Sequence, residues 1–367
     1  MKYDYRIRTL SPVHIGSGHT IDTSEVASGD PTYRIDMESL FSDPEIDIGK
    51  MLVRLRQNSF DVTRLSEEKR ERHARYKLSV DNNPLILKNL QSRGELLEFI
   101  MTAGHVYIPG SSVKGIIRTA ILMFLVATSG EIREVFLDSL SSSRGRREWF
   151  SNRAVGKVLG DSPNTDLLRT VKVSDSEAWA PEVMDLQAVK TYSSGQFKDF
   201  VTLPECLPVG SALGGQISVD FDLLNSSRVK SELGWVDIQI RSLEHLGDIL
   251  ARYGQHLIEG ELKYWRQETA KSRWLDMTEV LDFYEQLLEE VIAGKVILPL
   301  GWGTGWRTKT VGELVEEADP SLFADIRKRN RLGRKGMQFP KSRKVAVNEN
   351  GQPSKPLGWV CLDLSST

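Results

Sequence analysis

Val113, Ile116, Ile117, Ala120, Ile121 and Phe124 recur at the spacing of one helical face. A helix so apolar along one side has to be covered, and the extended segments around it make a sheet the natural cover. Residues 106–108 read as a short extended piece, Pro109-Gly110 as a turn, and Ser111 and Ser112 as N-cap candidates for the helix. Lys114 and Arg118, four residues apart, flank the apolar stripe, and Gly115 lies between them. The longest apolar run, 120–127, is far short of the roughly 20 residues that span a bilayer. The alternating start MKYDYRIRTL lacks the apolar centre of a signal peptide. The expectation is a cytoplasmic chain with no membrane partner.

Tyr3, Tyr5, Ile7 and Thr9 alternate with Asp4, Arg6 and Arg8, a strand that runs past Pro12 into a glycine-rich turn at residues 14–18. Further strands are predicted at 171–175, 216–224, 296–300 and 359–364. Residues 185–203 read as a projecting hairpin around Ser193-Ser194-Gly195. Helical patterns occupy 236–258 and 279–292, and a polar, mixed-charge stretch at about 37–97 reads as an inserted helical region. Strands arriving singly or as hairpins, without a regular βα period, predict an α+β fold with helices on one face of a mainly antiparallel sheet. Two modules are expected, 1–224 with the helical insertion and 225–367 with the glycine-rich loop and a basic segment.

Lysine and arginine number 48 against 50 acidic residues, a formal charge of −2, so the average carries no message about nucleic acid. The distribution does. Residues 326–344, IRKRNRLGRKGMQFPKSRK, hold nine basic residues and no acidic one, which suits a phosphate-neutralising arm or a solvated loop. The two cysteines, Cys206 and Cys361, are too few for a disulfide framework or a cysteine-rich zinc site.

LPLGWGTGWRTKT, at 298–310, fails as a nucleotide loop. Its third glycine, Gly305, comes one residue early for a dinucleotide fingerprint, and Thr308-Lys309-Thr310 lacks the Gly-Lys-Ser/Thr of a Walker loop. What remains is Gly301, Gly303 and Gly305, able to let a ligand approach the backbone. Trp302 and Trp306 are placed for stacking, and Arg307 and Lys309 for phosphates. A tight turn with core tryptophans is the plain alternative. His14 and His19 beside the first turn offer an imidazole for acid–base cleavage of RNA, or one that only hydrogen-bonds or stacks. Asp22, Asp30 and Asp36 offer oxygen ligands, but Gly29-Asp30-Pro31 also suits an ordinary turn. No metal cluster, cofactor motif or nucleophile elbow is evident.

Four stretches in order, SPVHIGSG, IPGSSVKGIIRTAIL, VKVSDSEAW and LPLGWGTGWRTKT, resemble the RAMP superfamily of CRISPR-Cas proteins, and within it most nearly the fifth Csm subunits of type III-A effector complexes. The resemblance implies ferredoxin-like, RRM-related modules. It also implies a non-catalytic subunit that caps the 3′ side of crRNA, takes part in crRNA maturation and antiviral defence, and needs no cofactor. Its implied partners are crRNA and target RNA and the other Csm subunits, the repeating backbone subunit above all, with host nucleases as a further partner. The RNA contacts it implies are His14 and Gly16 in the first loop, Lys114, Gly115 and Arg118 on the helix, Lys190 and Tyr192 in a thumb-like hairpin, and 301–309. The rival reading is a RAMP-type endoribonuclease acting through His14 or Asp30.

Overall fold

The computed structural model describes residues 1–56, 61–80, 83–92, 95–142, 150–271, 276–333 and 339–366. Two sheets organise the chain. The first is antiparallel throughout, in the order Val296–Pro299, Trp359–Ser366, Lys2–Thr9, Ala212–Val219, Val171–Val173. The alternation read in the opening residues holds, with Tyr5, Ile7 and Thr9 buried and Lys2, Asp4 and Arg6 exposed.

The second sheet runs Pro353–Pro356, Ser342–Val347, Val189–Ser193, Gln196–Cys206, Glu95–Phe99, Gly16–Ile21, and Asp185–Leu186 pairs beside Gln196–Cys206. Its one parallel pairing joins Gln196–Cys206 to Glu95–Phe99. Three short connections, at residues 10–15, 207–211 and 357–358, and three longer ones, after Glu95–Phe99, Val171–Val173 and Val296–Pro299, carry the chain between the sheets. The first sheet therefore takes strands from both sides of residue 224.

The apolar helix forms over Gly110–Thr128 and buries Val113, Ile117, Ala120, Ile121 and Leu125. It is long and apolar enough to cross a membrane by length and composition alone. In the fold it is a core helix, packed against strand Val171–Val173 and helices Asp237–Glu244 and Leu246–Lys271. Its start is built differently from the serine cap expected. Pro109 is the cap residue and makes no side-chain cap bond, while the Gly110 N–H donates to Asp175 Oδ1 at 2.8 Å. A Cβ on Gly110 would lie 2.4 Å from the Val173 carbonyl oxygen, so only glycine lets the helix end approach that strand. The Ile108 N–H donates to Ser176 Oγ. IPGSS and VSDSE are thus two halves of one joint.

Helix Leu246–Lys271, about 39 Å long at 1.5 Å per residue, serves both sheets. It packs on strand Val296–Pro299 of the first. Near its C-terminal end Trp265 lies 5.1 Å from the Tyr192 ring of the second.

Six helices, Gly130–Ser142, Phe150–Leu159, Phe221–Asn225, Ser227–Leu233, Gly312–Ala318 and Pro320–Arg329, were not legible in the sequence pattern. The strand expected at 216–224 ends at Val219, because the Asp220 side chain caps the helix that follows. The segment expected to be helical at 37–97 does carry helices, among them Met37–Phe41, Ile48–Arg56, Glu67–Arg72 and Pro84–Gln91. It also contributes strand Ala74–Leu78 to a small sheet with Val26–Ala27 and Thr32–Ile35. That lobe has its own core of Tyr33, Ile35, Leu40, Met51 and Val62.

Candidate nucleic-acid interface

The two glycine-rich stretches meet where the chain crosses between the sheets. The Trp302 N–H donates to the His14 carbonyl at 2.7 Å, Leu300 N–H to the Gly358 carbonyl at 2.6 Å, and Gly358 N–H to the Pro12 carbonyl at 2.9 Å. Gly301 has φ +85°, and a Cβ there would lie 2.3 Å from the His14 carbonyl oxygen. The sequence motif is therefore a backbone joint, which is why it demands glycine.

His14 is 2% exposed. Its Nδ1 sits 2.7 Å from the Glu205 carbonyl, and Phe99 and Trp302 contact the ring edge-on at centroid distances of 6.0 and 5.7 Å. Burial pulls the imidazole pKa below its ordinary value, with the Glu205 contact opposing. These surroundings make His14 a support of the joint; an RNA contact or an acid–base role would need an imidazole open to a ligand.

Behind it, the fully buried Glu205 carboxyl accepts from the Tyr76 hydroxyl at 2.7 Å and the Phe99 N–H at 2.8 Å. Burial pushes its pKa up to about 7. Between about pH 4.5 and 7 the unfolded chain releases this proton while the folded chain keeps it, so stability from this group falls as pH rises through that window. Glu205→Gln should remove that decline, on the order of 2–3 kcal/mol. Urea melts at pH 5 and 7.5 check it, and an unchanged pH dependence in the variant would show that Glu205 does not titrate there.

Several expected RNA contacts are occupied inside the protein. Tyr192 is fully buried, its hydroxyl donating to Glu268 Oε2 at 2.7 Å and its ring packed on Trp265 and Phe197, so no face is open to a base. Trp306 packs on Phe339 and Phe323. Arg307 Nε lies 2.8 Å from Glu313 Oε1, whose second oxygen is 3.3 Å from His256 Nε2. Arg118 Nη1 reaches Asp166 Oδ2 at 2.7 Å, and Lys114 Nζ donates to the Val171 carbonyl at 2.8 Å. Desolvation lowers the Lys114 pKa. Lys114 and Arg118 do line a groove of about 420 Å³ with Asn152, Asp161 and Arg169.

Gly16, Gly115 and Lys309 are exposed, and Lys190, Trp302, Gly303 and Gly305 are half-buried. Asp30 is exposed in the turn between strands Val26–Ala27 and Thr32–Ile35. Among the described residues no group of three or more His, Cys, Asp or Glu is arranged to hold a metal.

The basic run 326–344 is divided by the fold. Arg327 stacks on Phe339, Arg329 pairs with Asp325, and Arg343 is buried against Glu261. Lys344 Nζ sits 4.3 Å above the Trp302 ring and 3.4 Å from Thr191 Oγ1. Arg334 and Lys335 lie outside the described residues. Lys344 was expected only as one charge among nine; its pairing with Trp302 depends on strand register that no local pattern displays.

A sequence model of the RAMP superfamily matches residues 6–308. The CRISPR-system Csm5 protein of Mycobacterium tuberculosis is 25% identical over 340 residues, covering 76% of this chain and 86% of the relative. That of Methanocaldococcus jannaschii is 23% identical over 391 residues, covering 98% and 88%. In fold the chain is similar to a chain of a cryo-EM Csm–crRNA–target RNA ternary complex of a type III-A CRISPR-Cas system, with TM-score 0.74 and 21% identity over 98% of this chain and 100% of that one. It is also similar to the crystal structure of T. onnurineus Csm5, with TM-score 0.68 and 21% identity over 97% and 99%.

Proposed function

The chain belongs to the RAMP superfamily, and from that premise we propose that it is a non-catalytic RNA-binding structural subunit of a type III-A CRISPR (Csm) effector complex. Its place is the 3′ side of the guide, beside the repeating backbone subunit, with a part in crRNA maturation and antiviral defence and with contact to host nucleases. The observation that carries this reading is the match of fold over nearly the whole of both chains to a member of a Csm–crRNA–target RNA assembly. The near end-to-end alignment with a Csm5 protein supports it. Backbone joints, half-buried lysines and an indole suit a protein that holds phosphates and base faces and leaves sequence to base pairing.

The purified chain should bind single-stranded RNA without strong sequence preference, with affinity falling steeply as salt rises. Filter binding across a salt series tests this; affinity insensitive to salt would remove the electrostatic half of the reading. Labelled repeat RNA incubated with the same protein, with and without Mg²⁺, tests the other half, since a cleaved product would make the chain a nuclease.

Asp30→Ala in a reconstituted complex should leave target-RNA cleavage unchanged, because the residue sits in a turn at the edge of the small lobe. His14→Ala should act through stability instead, lowering the melting temperature and the crRNA content together. Loss of one cleavage product at normal crRNA content in either variant would favour the endoribonuclease.

A further inference from the structure

One face of the second sheet is built differently from the other. Tyr192, Phe197, Val201 and Arg343 point toward helix Leu246–Lys271 and the main core. Val189 and Ala346, the next residues of opposite parity, form a small separate cluster with Leu357 under Trp302. Thr191 and Lys344 are cross-strand partners on that same side, where Lys344 covers the indole.

The neighbouring strand brings an aromatic ring to this face. Lys190 pairs with Val201 and Tyr192 with Phe197, so one residue on one strand, Thr191, stands opposite three on the other, and 198–200 form a bulge there. Bulges re-aim side chains. Phe200 and Lys198 are next to Val201 and Phe197, which face the core, so the alternation of the strand turns both toward the Trp302 side, and Asp199 stands exposed between them in the bulge. Phe200 is 59% exposed, among the most exposed large apolar side chains of the described residues. Across the sheet Lys355, the partner of Ala346, adds a half-buried ammonium to the same side.

We propose that this face is a base-stacking platform for single-stranded RNA, in which Phe200 takes one nucleobase on its open ring and Lys198, Lys344 and Lys355 meet the adjoining phosphates. The proposal rests on the RNA-binding reading above and adds a site to it. An open phenyl ring flanked by lysines on a sheet face answers the chemistry of an unpaired nucleotide, a flat π-face next to a negative charge. Trp302 has a positioning role, because its ring holds the Lys344 ammonium over the sheet by a cation–π contact.

The test is fluorescence anisotropy of the full chain with a labelled single-stranded RNA of about 12 nucleotides, over a series of salt concentrations. Phe200→Ala should lower affinity about tenfold with the salt slope unchanged, and Phe200→Trp should retain affinity. Lys198→Ala with Lys344→Ala should reduce the slope by roughly 1.4, the share of two phosphates on a single strand. Thermal melts of all three variants check that each stays folded, Phe200 being exposed and Lys198 and Lys344 half-buried. If wild type binds RNA and Phe200→Ala binds equally well, the platform is wrong and the family-based function stands. If Trp and Ala at position 200 weaken binding alike, Phe200 acts through the shape of the bulge and stacking is overturned. If wild type binds no RNA, both readings fall.

Discussion

Gly301→Ala should destabilise the chain by about 3 kcal/mol or more and abolish crRNA co-purification. Two costs coincide at this position. A φ of +85° is strained for any residue with a Cβ, worth about 1–3 kcal/mol. The added methyl also meets the His14 carbonyl oxygen at 2.3 Å, an atom fixed by the Trp302 N–H, so neither partner can move without opening the joint between the sheets. Gly305→Ala is the built-in control. Its φ is +97°, yet nothing lies within 4 Å of the Cβ position, so only the conformational cost remains, about 1–3 kcal/mol. Urea melts of the two variants separate the terms; equal losses would mean that the contact with His14 carries no weight.

Glu261→Ala should cost about 3–5 kcal/mol, because it leaves a guanidinium buried without its counter-charge. Arg343 and Glu261 are 6% and 5% exposed in their side chains, with Nε donating to Oε2 at 2.6 Å and the guanidinium 4.0 Å over Tyr264. Replacing both, Glu261→Ala with Arg343→Met, should recover much of the loss, since the desolvated charge goes as well. A denaturation double-mutant cycle reads the difference. A single-mutant cost below about 1 kcal/mol would show that solvent reaches the pair.

What the sequence displayed and what it hid follow from how far apart the partners are. Strands Lys2–Thr9, Val296–Pro299 and Trp359–Ser366 and helices Gly110–Thr128 and Thr278–Ile292 announce themselves by a local period. The hairpin tip does so by turn chemistry, with Ser194 and Gly195 both at positive φ. Tyr192 was read as an RNA contact and Arg343 as part of a basic arm, because their partners, Glu268 and Glu261, stand 76 and 82 positions away on helix Leu246–Lys271. Phe200 was concealed by something more local, a register slip within the hairpin that no residue type announces. A charge run reports charge and leaves each ammonium's neighbours unstated. Helix Gly130–Ser142 escaped notice because Val135, one of its apolar residues, points outward and blurs the amphipathic stripe.

The pairing of Lys2–Thr9 with Trp359–Ser366 sets a timetable for synthesis. The opening strand leaves the ribosome with one of its two neighbours still roughly 350 residues from being translated, so its unpaired edge waits through most of elongation. Until Trp359–Ser366 emerges, the first sheet presents Tyr5 and Ile7 beside a row of open amides, a template for wrong pairing. A nascent chain stalled short of residue 359 should therefore be a target for chaperones and proteases, and the emergence of Trp359–Ser366 is the moment at which the strand Lys2–Thr9 gains its second neighbour.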